Sequence, residues 1–81
     1  MKRYPDRSLL HIDQLQMFRD WLDSIGVKWR NTTAAYQVLQ VYSQRTGDWV
    51  PIYKRNEATE HLTVQGRMVP LVLRFIREKK L

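Results

Sequence analysis

Between residues 8 and 25 the apolar positions recur at helical spacing. At about 100° per residue, Ile12, Leu15, Phe18, Trp21, Leu22 and Ile25 fall on one side, and Asp13, Gln16, Asp20 and Asp23 on the other. The pattern predicts a helix over 8–25, with Ser8 or Asp6 as its N-cap and Gly26 as a left-handed C-terminal cap. From residue 27 the period shortens. Val27-Lys28-Trp29-Arg30 alternates apolar with charged and predicts a short strand, and Asn31-Thr32-Thr33 a turn. Residues 36–42 fit either period by themselves. The glycine-containing connection 43–48 and the β-rich run Trp49-Val50-Pro51-Ile52-Tyr53 decide for a hairpin. Pro51 brings no N–H to a ladder, which predicts an edge strand or a neighbouring bulge. Residues 60–64 alternate again and predict a further strand. Residues 67–80 return to helical spacing, with Pro70 in the first turn and Met68, Val69, Val72, Phe75 and Ile76 facing inward.

The expected fold is therefore α+β: a small antiparallel sheet of three to four short strands with two helices on one face, in the order α-β-β-β-α. The 81 residues form a single domain, with 1–7 as a flexible N-terminal arm, and the second sheet face is left open. That element order is shared by double-stranded RNA-binding domains and by small toxin domains of toxin–antitoxin pairs. It is an analogy of order alone. The Lys-rich start of the last helix that the former use is Gly66-Arg67-Met68-Val69-Pro70 here, the early-strand histidine of the latter is absent, and no family follows.

Charge sharpens the picture. Lys and Arg number 14 against 8 Asp and Glu, for a net charge of +6. The excess is uneven. Residues 1–26 balance, whereas 27–56 carry Lys28, Arg30, Arg45, Lys54 and Arg55 against Asp48 alone. Such a cationic middle fits nucleic acid, RNA or DNA, or an acidic protein surface. Arg67, Arg74 and Arg77 on the second helix form another basic stripe, spaced to follow a phosphate backbone. On the strand reading, Tyr36, Tyr42, Trp49 and Tyr53 share one sheet face, and Leu39, Val41, Val50 and Ile52 the other. Aromatics rimmed by cations suit stacking on unpaired bases while the cations hold the backbone. They equally suit a protein interface, or a homodimer through the aromatic face.

Several function classes fall away. The chain has no cysteine, hence no disulfide, thiolate metal site or thiol nucleophile. It shows no Gly-rich phosphate loop, HExxH helix or GxSxG elbow, so no cofactor or metal is expected. His61 near Glu57 and Glu60 is too sparse to define a site, and His11 reads as a packed imidazole on the first helix. No apolar run reaches the roughly 18–20 residues of a membrane span, and Met1-Lys2-Arg3-Tyr4-Pro5 carries no apolar signal core, so a cytoplasmic protein without a membrane partner is expected. The leading expectation is a non-enzymatic basic protein contacting nucleic acid through Lys28, Arg30, Arg45, Lys54, Arg55, Arg67, Arg74 and Arg77, with Tyr36, Tyr42, Trp49 and Tyr53. The alternatives are a protein-interaction module, such as a small regulator or inhibitor of the kind phages and mobile elements carry, and a metal-free ribonuclease working through Arg, Lys, Tyr and His.

Overall fold

The computed structural model describes residues 5–34, 36–55, 58 and 60–81. Its first element is a strand, not a helix. β1 (Arg7–His11) pairs antiparallel with β5 (His61–Val64), placing Arg7 opposite Val64 and His11 opposite His61. The expected helix over 8–25 is shortened accordingly. A 3-10 turn, Ile12–Gln14, leads into α1 (Leu15–Ser24). Neither Ser8 nor Asp6 caps that 3-10 turn. The His11 ring does, its Nδ1 accepting from the Asp13 N–H at 3.1 Å while Gln14 Oε1 accepts from the His11 N–H at 3.0 Å. His11 is thus the last residue of a strand rather than a helix-face imidazole. Of the expected N-terminal arm, residues 1–4 lie outside the described residues. Asp6 is held by a 2.9 Å hydrogen bond from the Gly66 N–H.

After α1 the chain makes a meander: β2 (Trp29–Asn31), β3 (Gln37–Ser43), β4 (Asp48–Tyr53) and β5. A second 3-10 turn, Gly66–Met68, enters α2 (Val69–Lys79), with Pro70 in its first turn where the missing N–H is harmless. The sheet has five strands in the order β1-β5-β4-β3-β2, every neighbouring pair antiparallel. The fold is α+β as expected, but the order is β-α-β-β-β-β-α. The three-to-four-strand α-β-β-β-α arrangement is corrected, and with it the analogy drawn on that order. β1 and β2 lie at opposite edges and run the same way, and α1 carries the chain across.

Both helices contribute to one core. Leu10, Leu39, Val41, Val50, Ile52, Leu62 and Val64 point inward from the sheet, and meet Leu15, Phe18, Trp21 and Leu22 of α1 and Met68, Val69, Val72 and Phe75 of the last segment. Phe18 and Phe75 meet edge to face with ring centres 5.0 Å apart, binding the two helices to each other as well as to the sheet. The predicted hairpin forms, with Val41 opposite Val50 and Tyr42 opposite Trp49. Of the two places expected for Pro51, the edge strand is corrected, because β4 is interior, whereas a neighbouring bulge is present: the β3–β4 register shifts between Gln37 and Leu39, close to the pair of Gln40 with Pro51. Pro51 is accommodated because β5 pairs with β4 only at Ile52 and Tyr53, leaving the Pro51 end of that flank without a ladder partner.

Candidate functional site

The sheet face away from the helices is set by strand alternation. Arg30, Gln40 and Pro51 form one row across β2, β3 and β4, and Tyr42 and Trp49 form the next. Beyond β2 the ladder continues one residue, with the Tyr42 N–H donating to the Lys28 carbonyl at 2.9 Å. Tyr42, Trp49 and Tyr53 are each half-buried, Tyr42 and Trp49 against one another.

Arg30 stands at the β2 edge of this face and reaches over it. Its guanidinium carbon lies 4.1 Å from the Trp49 ring centre, and its Nε–H donates to Gln40 Oε1 at 2.6 Å. Gln40 in turn donates to Gln37 Oε1 at 3.0 Å, and Trp49 packs edge-on to Tyr42 at 5.3 Å. The guanidinium over the Trp49 ring is therefore held through one nitrogen, and its two terminal nitrogens have no hydrogen-bond partner among the described residues. No described carboxylate pairs with it. A cation held in place but not neutralised is the arrangement an anionic ligand needs, because ordering the long side chain has already been done.

The other middle cations rim this face. Arg45 sits in the β3–β4 connection at one end, on the side of Lys28, and Lys54 and Arg55 follow β4 at the other. Among the described residues none of Lys28, Arg45, Lys54 or Arg55 has a carboxylate within salt-bridge distance. The arginines expected on the second helix differ. Arg67 lies in the 3-10 turn before α2 rather than on it, and pairs with Asp48 at 3.1 Å. Arg74 pairs with Glu78 at 2.7 Å and lies 5.4 Å from the Trp21 ring centre. Together with the Trp21 Nε1–H, Arg74 holds the Glu78 carboxyl below its ordinary pKa, the Arg74 hydrogen bond being the larger cause. Arg77 is exposed on the same helix. The second stripe thus belongs to the helix layer, on the far side of the sheet from Arg30, and two of its members are bound to the protein's own carboxylates.

Tyr36 is also displaced from its expected place. It precedes β3 in a turn at φ +63°, is 56 % exposed, and uses its carbonyl to accept from the Lys54 N–H. Tyr53 remains on the face, and its hydroxyl accepts from Gln65 Nε2 at 3.1 Å. His61 meets His11 edge-on at 5.0 Å, with Glu60 3.6 Å from the His11 Nε2, and Glu57 lies outside the described residues.

Two residues beside this face were not singled out from the sequence as functional. Trp29 lies on the helix side of β2, where its Nε1–H donates to Asp23 Oδ1 at 2.7 Å. Arg19, one helical turn before Asp23, lies 5.6 Å from the Trp29 ring centre and donates to Asn31 Oδ1 at 2.9 Å. The signal for this cluster is Gly26. Its φ of +75° reverses the chain after α1 and returns Trp29 alongside the last helical turn.

Compared with known proteins, the chain matches no family model, no curated protein and no solved structure.

Proposed function

We propose that this chain is a non-enzymatic nucleic-acid-binding protein that lays an unpaired strand across its helix-free sheet face. The observation that carries the reading is Arg30: over the Trp49 ring, fixed by Gln40, and with both terminal nitrogens unpartnered among the described residues and so offered to a phosphate. Trp49, Tyr42 and Tyr53 supply the apolar surface on which bases rest. The outer plane of the Arg30 guanidinium adds a further stacking surface. Lys28 and Arg45 at one end, and Lys54 and Arg55 at the other, hold the backbone as it enters and leaves. The helix-layer arginines Arg67, Arg74 and Arg77 play no part in this contact. An open sheet offers flat rings rather than a rod for a duplex groove, which favours single strands.

Fluorescence anisotropy with labelled oligonucleotides at several salt concentrations tests it. Neutralising about four to six phosphates of a single strand gives a log–log salt slope of roughly −3 to −4. Absence of binding to any oligonucleotide at low salt overturns the proposal. Binding to polyglutamate in that same absence replaces it with an acidic-protein partner.

A further inference from the structure

Where the open face meets the α1–β2 connection there is a shallow groove of about 470 Å³, lined by Asp23, Gly26, Val27, Lys28, Trp29 and Trp49. We propose that it is a base-selecting subsite, taking one unpaired nucleobase that carries an exocyclic amino group, guanine above all. This rests on the nucleic-acid reading above and adds to it a sequence preference.

The walls are two indoles, and both are fixed before any ligand arrives. Trp29 is held by Asp23 at 2.7 Å and by the Arg19 guanidinium, which is itself tied to Asn31. Trp49 is held by Arg30 and Tyr42. Fixed flat rings accept a flat heterocycle with little loss of side-chain freedom. Trp49 belongs both to the groove and to the open face, so a strand crossing that face passes the groove.

The polar groups decide which base. Asp23 is exposed and commits Oδ1 to the Trp29 N–H, while Oδ2 has no partner among the described residues. An ionised carboxylate only accepts hydrogen bonds. Guanine presents an amino group next to a ring N–H, two adjacent donors. Adenine and cytosine each present one amino group beside an acceptor nitrogen. Uracil and thymine flank their single N–H with carbonyl oxygens that repel a carboxylate. Lys28 lines the same groove without an acidic partner among the described residues, placed for the phosphate of the bound nucleotide. The Asp23 acceptor and the Lys28 cation, set beside two indoles, together match a nucleotide with a donor edge and an anionic tail.

The test compares the unaltered protein on three labelled strands of about twelve nucleotides: oligouridine, the same strand with guanosine at its centre, and the same strand with inosine there. Inosine keeps the ring N–H of guanosine and lacks the amino group. The expected order is guanosine over inosine over uridine, with about a three- to tenfold loss on removing the amino group. In Asp23→Asn the remaining side-chain oxygen still accepts from Trp29, and the free oxygen becomes an N–H donor, so the preference moves from guanosine toward uridine. Equal, salt-dependent binding of all three strands overturns the subsite and leaves the nucleic-acid reading standing. Binding of none overturns both. A guanosine preference untouched by Asp23→Asn, in a variant with unchanged near-ultraviolet circular dichroism, overturns the role of Asp23 and with it the proposal.

Discussion

The Arg30 guanidinium lies 4.1 Å from the centre of the Trp49 ring across the open face of the sheet. The contact joins residues of β2 and β4 that are not paired with each other, over the intervening strand β3. It does two things. It fixes a charge that no described carboxylate neutralises, and it turns a tryptophan and an arginine into one layered surface.

Arg30→Ala removes the fixed charge and the outer stacking plane. Affinity for a single-stranded oligonucleotide falls by about tenfold or more, and the salt slope becomes shallower by about 0.7. Arg30→Lys keeps the charge and loses the planar stack, so it recovers the slope but not the full affinity. Anisotropy titrations at several salt concentrations separate the two contributions. The tryptophan emission of both variants shifts because Trp49 loses its cover.

Arg74→Ala and Arg77→Ala provide the contrasting case. Both side chains stand on α2, on the other side of the sheet from Arg30. Oligonucleotide affinity stays within about twofold of the parent for each. A larger loss than that in the same titration places the helix layer in the interface and requires a different docking geometry.

Glu78 gives a pH dependence with a defined sign. Its carboxyl is held below its ordinary pKa, first by the hydrogen bond from Arg74 and then by that from Trp21. A depressed folded-state pKa stabilises the fold above the unfolded value, and that contribution is lost as pH falls through the folded value. Urea unfolding at a series of pH values from neutral down through the carboxylate range therefore shows stability declining toward acid. In Glu78→Gln this part of the decline is absent, and the two curves converge at the acidic end. The side chain is exposed, so the separation is small.

The core is small enough that one ring decides stability. Phe18 is fully buried and touches both Trp21 and Phe75. Phe18→Ala costs about 3–5 kcal/mol, a large share of the roughly 5–15 kcal/mol available to a small domain. Thermal melting by circular dichroism shows a strongly lowered midpoint, or a chain already unfolded at room temperature.

The hairpin was legible because its two signals agree. Leu39 and Val41 alternate against Val50 and Ile52, and Gly47 at φ +73° supplies the reversal between them. β1 was hidden for two physical reasons. Its partner β5 lies at the far end of the chain, and Leu9 is an extra residue at a bulge, so the alternation that marks a strand is broken. Leu9, Leu10 and Ile12 then read as an extension of α1. The cationic middle and the shared face of Tyr42 and Trp49 were readable from charge and strand alternation. The bracing of Trp29 by Asp23 and Arg19 was not, because Asp23 falls on the solvated side of the helix wheel and only the Gly26 reversal brings the two together.

The seat of β1 beside β5 governs how the chain is assembled. Strands β2 to β5 follow one another and can zip up by short closures, whereas the opening segment meets its neighbour only after nearly everything else has been made. During synthesis β1 precedes the other four strands of this sheet and is the last of them to gain its neighbour. Until β5 clears the exit tunnel, Leu10 has no Leu62 to face, and the unfinished sheet offers β5's own place to any passing strand.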